Sequence, residues 1–203
     1  MRRFCLKNNQ QGATMIEALG VITIVILLTV SIIKIIGNVY GVFKQNLIVN
    51  ELKDLQKAIS ERYRFEGNYK ELFENRNTTD DVSRFLCENK MAPYKMCSNG
   101  ILHHSMAGNV FVEPDDADYQ RYKITFDTLT DRACANIAQI NWHMQKKPAV
   151  YRILIKDSAG ARKLDVELPH NQTANSINFP ITADTAMQAC QNKDNTTIEW
   201  TFF

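Results

Sequence analysis

The first third of the chain contains an apolar segment whose length is close to that of a membrane-spanning helix. Residues Ala18–Ile33 form sixteen consecutive positions without a charged side chain. Lys34 follows, but Ile35 and Ile36 continue the apolar pattern, and a terminal lysine can extend its ammonium group to the interface, so about 18 to 20 residues could span a bilayer. The pattern predicts a membrane-spanning helix over 13–36, and a helix buried in a protein core is the alternative.

The helical period continues past this segment in an amphipathic form. Apolar residues recur at steps of three and four, with Lys, Asp, Gln and Glu on the other face, at Phe43, Leu47, Ile48, Leu52, Leu55, Ile59 and Tyr63. Gly67 and Asn68 then supply a stop signal. The sequence therefore predicts one helix from about Thr14 to Glu66, whose amphipathic half at 37–66 packs on a globular region; a membrane-anchored coiled coil is the alternative.

Residues 67–203 alternate between helical and strand patterns. Helical spacing and capping residues predict three short helices, over Thr78–Cys87, Thr130–Trp142 and Thr182–Cys190. Strand patterns lie at Asn109–Glu113, Tyr122–Phe126, Val150–Lys156, Arg162–Leu168 and Thr197–Phe203. The third and fourth strands flank the turn residues 157–160 and should form a hairpin, whereas 92–100 should be loop. We therefore expect an α+β head with an antiparallel sheet.

Net charge and hydrophobic content argue against a nucleic-acid-binding protein and against a disordered chain. The chain has 203 residues, 24 basic and 22 acidic side chains, and a formal net charge of +2. A charge balance this close to neutral gives no long-range field for nucleic acid, and no polybasic tract compensates for it, so we expect no nucleic-acid partner. The 45% hydrophobic content is too high for a disordered chain and favours a packed domain.

The residues ahead of the apolar segment carry charge of one sign. Arg2, Arg3 and Lys7 are basic and no acidic residue accompanies them, so this end should stay in the cytoplasm while the remainder faces outward. Conventional signal-peptide cleavage is not expected, because Glu17 stands at the start of the apolar run and no Ala-x-Ala-like site follows it.

Residues Gly12–Ile22, with the sequence GATMIEALGVI, resemble the processing site of type IV prepilins. The shared features are a short basic leader that ends in glycine, a glutamate five residues later, and an unbroken apolar helix. The resemblance implies that a prepilin peptidase cleaves between Gly12 and Ala13, removes only the leader 1–12, and leaves an N-terminal amine at Ala13 that is methylated. Ala13 departs from the family pattern, which usually has a large apolar residue there, and the leader is shorter than many type IVb leaders.

Glu17 is a carboxylate at the edge of the predicted span. A charged side chain costs about 2.5 to 3.5 kcal/mol at the middle of a membrane helix and less near the interface. The resemblance supplies a compensating partner in an assembled filament, namely the methylated N-terminal amine of a neighbouring subunit. A glutamate that lies in the headgroup layer without a role is the alternative.

Three later segments resemble the type IVb pilins, the group of the toxin-coregulated pilus and the conjugative thin pilus. They are Ala107–Val112, Tyr122–Cys134, and Ala189–Cys190 with Asn195–Phe202. The resemblance implies the type IV pilin fold, with a long N-terminal helix on an antiparallel sheet and a disulfide-bonded C-terminal region. It also implies a Cys134–Cys190 disulfide that frames a variable, surface-exposed region.

The number of cysteines is consistent with a domain that lies outside the cytoplasm, where disulfides form. Cys5 lies in the predicted leader, so its removal turns five cysteines into four on the oxidising side. Four cysteines allow three pairings, and the resemblance selects Cys134 with Cys190, which leaves Cys87 to Cys97. A four-cysteine metal site would need close Cys-x2-Cys pairs, which these spacings lack.

No group of residues predicts catalysis or cofactor binding. His103, His104, His143 and His170 do not form a metal-binding pattern, and Glu113–Asp118 lacks the spacing of an EF-hand loop. The sequence contains no nucleophile elbow, phosphate loop or dinucleotide fingerprint. Three tripeptides match glycosylation acceptors, at Asn77, Asn171 and Asn195, but matches of this kind also occur by chance and carry little weight. We expect no enzyme activity, no metal and no cofactor.

The resemblance therefore implies a structural subunit of a type IVb-like pilus. The precursor would lie in the bacterial inner membrane, and the mature subunit would polymerise into a helical, extracellular homo-oligomer for adhesion, aggregation or conjugative contact. The implied partners are the prepilin peptidase, the assembly ATPase, the platform protein and the secretin. The alternatives are a minor pilin that primes or tips the filament, a type II secretion pseudopilin, and a single-span receptor with an extracytoplasmic ligand domain.

Overall fold

The computed structural model describes residues 15–115, 117–140, 150–167, 181–191 and 195–203, and for residues 15–18, 34–38 and 40 it describes the backbone alone. The chain divides into two compact units, Met1–Val42 and Phe43–Phe203. Helix α1, Met15–Tyr63, is the first element of the chain. The sequence predicted this helix from about Thr14 to Glu66, and its C-terminal end agrees within three residues.

In the first unit, α1 presents apolar side chains on every side. The large apolar residues from Leu19 to Ile33 are each between 49% and 65% exposed. The hydroxyls of Thr23, Thr29 and Ser31 donate to the backbone carbonyl four residues earlier, so the helix itself satisfies them. Searched over the described residues, the structure holds no helix of the length and hydropathy that crossing a membrane requires. The membrane-spanning helix over 13–36 stays a prediction.

In the second unit, which we call the head, one face of α1 enters the core. Ile48, Leu52, Leu55 and Ile59 are completely buried, and Tyr63 is nearly so. Their steps of three and four place them on one side of the helix. Phe43 was predicted to lie on the same buried stripe, but its side chain is 57% exposed. The buried stripe of α1 begins five residues later, at Ile48.

The head contains a five-stranded antiparallel sheet. Its strands are β3 (Val110–Pro114), β4 (Tyr122–Leu129), β5 (Val150–Lys156), β6 (Arg162–Glu167) and β7 (Thr196–Phe202), in the order β3-β4-β7-β5-β6. The C-terminal strand therefore lies in the centre. Buried and less buried residues alternate along β4, as expected for a strand with one face on the core. Strands β5 and β6 form the predicted hairpin, and Leu168 lies outside the described residues.

Three of the short helices are those the sequence predicted. They are α3 (Thr79–Glu88), α4 (Asp131–Ala138) and α5 (Ala183–Ala189). The side chains of Thr78, Thr130 and Thr182 cap their N-termini by accepting a backbone N–H from the third residue of each helix. Helix α4 ends at Ala138 rather than Trp142, and residues 141–149 lie outside the description.

Two parts of the head differ from the predictions. Residues 92–100, predicted as loop, contain a 3-10 helix (Tyr94–Met96) and strand β1 (Cys97–Ser98), which pairs with β2 (Ile101–Leu102). A one-turn helix α2 (Lys70–Phe73) was not predicted. Both elements are too short to show a helical or strand period, so tertiary contacts form them: Met96 and Leu72 are completely buried.

Candidate functional site

The residues with the most specific sequence signal lie at the N-terminal end. Gly12 and Ala13, the predicted cleavage and methylation positions, fall outside the described residues. Glu17 lies within helix α1, and its side chain is not described. Their roles therefore stay predictions.

The described part of α1 that follows these positions exposes a continuous run of large apolar side chains. A soluble helix normally has a polar face, and a helix that is apolar on every side is normally buried in a protein core or in lipid. The side chains from Leu19 to Ile33 are exposed within this single chain. Among the described residues, these side chains are therefore not packed into a protein core.

The first disulfide joins helices α4 and α5. Cys134 lies within α4, Cys190 caps the end of α5, both side chains are completely buried, and their Cα atoms are 5.7 Å apart. The amide of Asn136 on α4 donates to the side-chain oxygen of Gln45 on α1 at 2.6 Å. The pairing that the resemblance implied is thus present, and it ties the C-terminal region to the helices of the head.

The second disulfide, Cys87–Cys97, joins helix α3 to strand β1. Cys87 lies in the last turn of α3 and Cys97 begins β1, with 5.8 Å between their Cα atoms. The 3-10 helix lies between the two cysteines in sequence. The covalent link therefore fixes that helix at the C-terminal end of α3.

The loop over residues 103–109, which precedes β3 in the sequence, makes hydrogen bonds both to α1 and to strand β4. His104 is 3% exposed, and its Nε2 is 2.8 Å from the carbonyl oxygen of Asp127 while Nδ1 accepts the N–H of Met106. Nε2 therefore carries the proton and donates to Asp127. Burial lowers the pKa of His104 below its ordinary value, so this imidazole is a neutral structural group. The Cβ of any larger residue at Gly108 would lie 2.1 Å from His104 Nε2, which explains the glycine.

The same loop contacts a buried carboxylate on α1. The N–H of Ser105 donates to Oε2 of Glu51 at 2.9 Å, and the Ser105 hydroxyl donates to the carbonyl of Lys44 at 3.4 Å. Burial raises the pKa of Glu51, and the hydrogen bonds from Ser105 oppose that shift. The contact connects two turns of α1 to the loop. Glu51 was not predicted as a structural polar group, because its contact with Ser105 joins residues 54 positions apart.

The weaker candidates for metal binding have other roles. Within the acidic segment, Asp115 pairs with Arg121 at 3.5 Å and Glu113 with Lys123 at 4.0 Å, while residue 116 is not described. His143 and His170 are also outside the description. In the part of the chain that the structure describes, no group of three or more His, Cys, Asp or Glu residues could hold a metal ion.

Comparisons with known proteins identify the fold. No protein-family model matches the sequence, and no curated protein matches it. Among solved structures, the chain is similar to TcpA, a type IV pilin from Vibrio cholerae El Tor biotype, with 17% identity and a TM-score of 0.51 over 79% of this chain and 99% of that chain. It is also similar to a type IVb pilin from Salmonella typhi, with 16% identity and a TM-score of 0.44 over 74% of this chain and 96% of that chain. The likeness to TcpA shows that this chain has the type IV pilin fold.

Proposed function

We propose that this chain is a structural subunit of a type IV pilus of the type IVb kind. The subunit polymerises into a helical filament outside the cell, and the filament serves adhesion, aggregation or conjugative contact. Fold alone does not determine function, so the proposal also depends on the residues of α1 and on the processing motif before it.

The observation that carries the proposal is the difference in the exposure of apolar side chains between the two parts of helix α1. From Leu19 to Ile33 its described apolar side chains are exposed on every side, whereas from Ile48 to Tyr63 one face is buried in the head. The first part suits a position in lipid before assembly and among the same helices of other subunits afterwards. The second part attaches that helix to a head that remains in water.

In this proposal, proteolytic processing precedes the transfer of the subunit from the membrane to the filament. A prepilin peptidase cleaves after Gly12, the amine of Ala13 is methylated, and residues 13–36 hold the mature subunit in the inner membrane until assembly. The assembly ATPase and platform protein then move the subunit into the filament, which leaves the cell through the secretin. The processing motif at Gly12–Ile22 supports this sequence of events.

Deletion of the gene, followed by immunogold electron microscopy, tests the proposal. With an antibody against the head, we expect gold along the whole length of surface filaments in the wild type, no such filaments after deletion, and their return on complementation. Gold at filament tips alone would indicate a minor pilin. Gold over the cell envelope, with filament number unchanged by deletion, would contradict the proposal and favour a membrane-anchored receptor.

A further inference from the structure

The loop over residues 103–109 is fixed at its two ends by contacts that do not involve its middle. The N–H of His103 donates to the carbonyl of Met96 at 2.8 Å. At the other end, the carboxylate of Asp127 accepts both the N–H and the side-chain amide of Asn109. His103 and Asn109 also face each other as an antiparallel β-bridge. We call His103 and Asn109 the base of the loop, and their contacts do not depend on its tip.

The tip of the loop, Ser105 and Met106, is held by a different set of contacts. The N–H of Ser105 donates to Oε2 of Glu51 at 2.9 Å, and its hydroxyl donates to the carbonyl of Lys44 at 3.4 Å. The N–H of Met106 donates to Nδ1 of His104 at 3.2 Å. One imidazole nitrogen therefore accepts the hydrogen bond that shapes the tip, and the residue beside that bond contacts α1.

The closed loop accommodates only the neutral form of His104. Nε2 is 2.8 Å from the carbonyl oxygen of Asp127 and carries the imidazole proton, which leaves Nδ1 as an acceptor. A second proton at Nδ1 would point at the N–H of Met106, and two donors cannot share a hydrogen bond. The ring has no room to turn aside, because it stacks on Phe126 with centroids 5.3 Å apart and lies against Gly108. Protonation therefore requires the N–H of Met106 to move away.

The groups that act on His104 come from its own loop and from β4. Burial lowers the pKa of His104, the hydrogen bond to the carbonyl of Asp127 and the charge of the Asp127 carboxylate oppose that shift, and His103 adds to it. The closed loop thus excludes the proton, whereas an imidazole in water takes it up at the ordinary pKa of about 6.5. The closed form is therefore fully favoured above about pH 6.5 and loses that advantage as the pH falls below this value.

Glu51 on α1 responds to acid in the opposite direction. Burial raises the pKa of Glu51, and the hydrogen bonds from Ser105 and the charge of Lys95 oppose that shift. A carboxyl group whose pKa is raised in the closed form takes up a proton more readily there than in water, so its titration favours closure in acid. His104 is therefore the group whose protonation opens the tip.

We propose that protonation of His104 below about pH 6.5 releases Ser105 and Met106 from their contacts while the base at His103 and Asn109 stays in place. The release removes both hydrogen bonds from the loop to α1, so the head holds the first buried turns of α1 less tightly in acid. The loop is thus a pH-sensitive attachment between α1 and the sheet. This inference concerns the head alone and does not depend on the proposed function.

Amide hydrogen exchange of the full chain in detergent, measured residue by residue by NMR, tests the release. Protection factors remove the effect of pH on the intrinsic exchange rate. At about pH 5, protonation favours the open tip by up to about thirtyfold over the closed one. Between about pH 7.5 and pH 5 we expect the protection of Ser105 and Met106 to fall by at least about fivefold, and that of His103 and Asn109 to stay within about twofold. Unchanged protection at the tip, or an equal loss at all four amides, would overturn the inference.

Substitution of each neighbouring histidine assigns the response to one imidazole. In His104→Asn, the side-chain oxygen can accept the N–H of Met106 in place of Nδ1, and the side chain does not titrate. We expect its tip amides to be equally protected at both pH values. The matched control His103→Asn should respond as the wild type does. A wild-type response in His104→Asn would overturn the inference.

Two further measurements do not depend on how well His104→Asn folds. The NMR chemical shifts of the His104 imidazole should report protonation over the same pH range in which the tip amides lose protection. Glu51→Gln keeps an acceptor for Ser105 but cannot titrate, so it should retain the acid response. Protonation of His104 with both tip amides still protected, or loss of the response in Glu51→Gln, would overturn the inference and leave the pilus proposal intact.

Discussion

A chain carrying Glu17→Ala should enter the membrane as well as the wild type and yet fail to appear in filaments. The substitution removes a charge from the edge of an apolar segment, which makes membrane insertion easier. After cleavage, Glu17 would lie four residues from the amine of Ala13, about 6 Å along the helix axis. We propose that its partner in the filament is the methylated amine of a neighbouring subunit.

The size of this interaction explains why the expected loss is large. Two opposite charges 4 Å apart at an effective dielectric of 20 attract by about 4 kcal/mol before desolvation is counted. Apolar helices can pack side by side at many staggers with similar energy, whereas a charge pair favours one of them. The carboxylate would therefore set the register between subunits, which every added subunit repeats.

A matched substitution on the same helix serves as the control. Thr23 lies six residues further along, and its hydroxyl donates to the carbonyl of Leu19 within the helix. We expect Thr23→Ala to assemble normally. Membrane fractionation measures insertion, and the amount of subunit in sheared filaments measures assembly. Wild-type filament yield from Glu17→Ala, in cells without a wild-type copy, would show that this carboxylate has no assembly role.

The second large effect concerns the Cys134–Cys190 disulfide. The two cysteines are 56 positions apart, against 10 for Cys87–Cys97. The chain-entropy relation gives about 4 kcal/mol of stabilisation for the longer loop and somewhat under 3 kcal/mol for the shorter one. The longer bridge also joins two helices through completely buried sulfur atoms, so its loss leaves space in the core as well.

Paired alanine substitutions isolate the two bridges, because they leave no unpaired thiol. We expect Cys134→Ala/Cys190→Ala to lower the free energy of unfolding of the full chain in detergent more than Cys87→Ala/Cys97→Ala does. Denaturant titration gives both values. An equal or larger loss from the Cys87–Cys97 pair would show that loop length and burial do not control the stability of this head.

Many of the helices and strands could be predicted because the sequence patterns that indicate them involve only neighbouring residues. Threonine caps at 78 and 130 and the alternating pattern from Tyr122 to Phe126 depend on neighbouring residues, and the structure confirms the helices and the strand that they predict. The central place of β7 in the sheet was not predicted, because strand order depends on contacts between distant residues. Helix α2 was missed for a different reason, since four residues show no period.

The candidate site could be inferred from sequence only where it follows a motif, and its roles in processing and assembly stay predictions. Gly12, Ala13 and Glu17 form a short linear pattern, and the cysteine pairing came with the family resemblance rather than with spacing. The contact between Ser105 and Glu51 joins residues 54 positions apart, so no short window of sequence contains it.

The intact mass of the subunit in filaments sheared from the cell surface tests the central claim most directly. The account predicts that the main protein of these filaments is this chain, that its mass corresponds to residues 13–203, and that one methyl group is present on the amine of Ala13. The same subunit from cells that lack the prepilin peptidase should keep residues 1–12 and remain in the membrane fraction. A mature chain that begins beyond Ile33, or an unprocessed chain absent from every filament, would contradict the account.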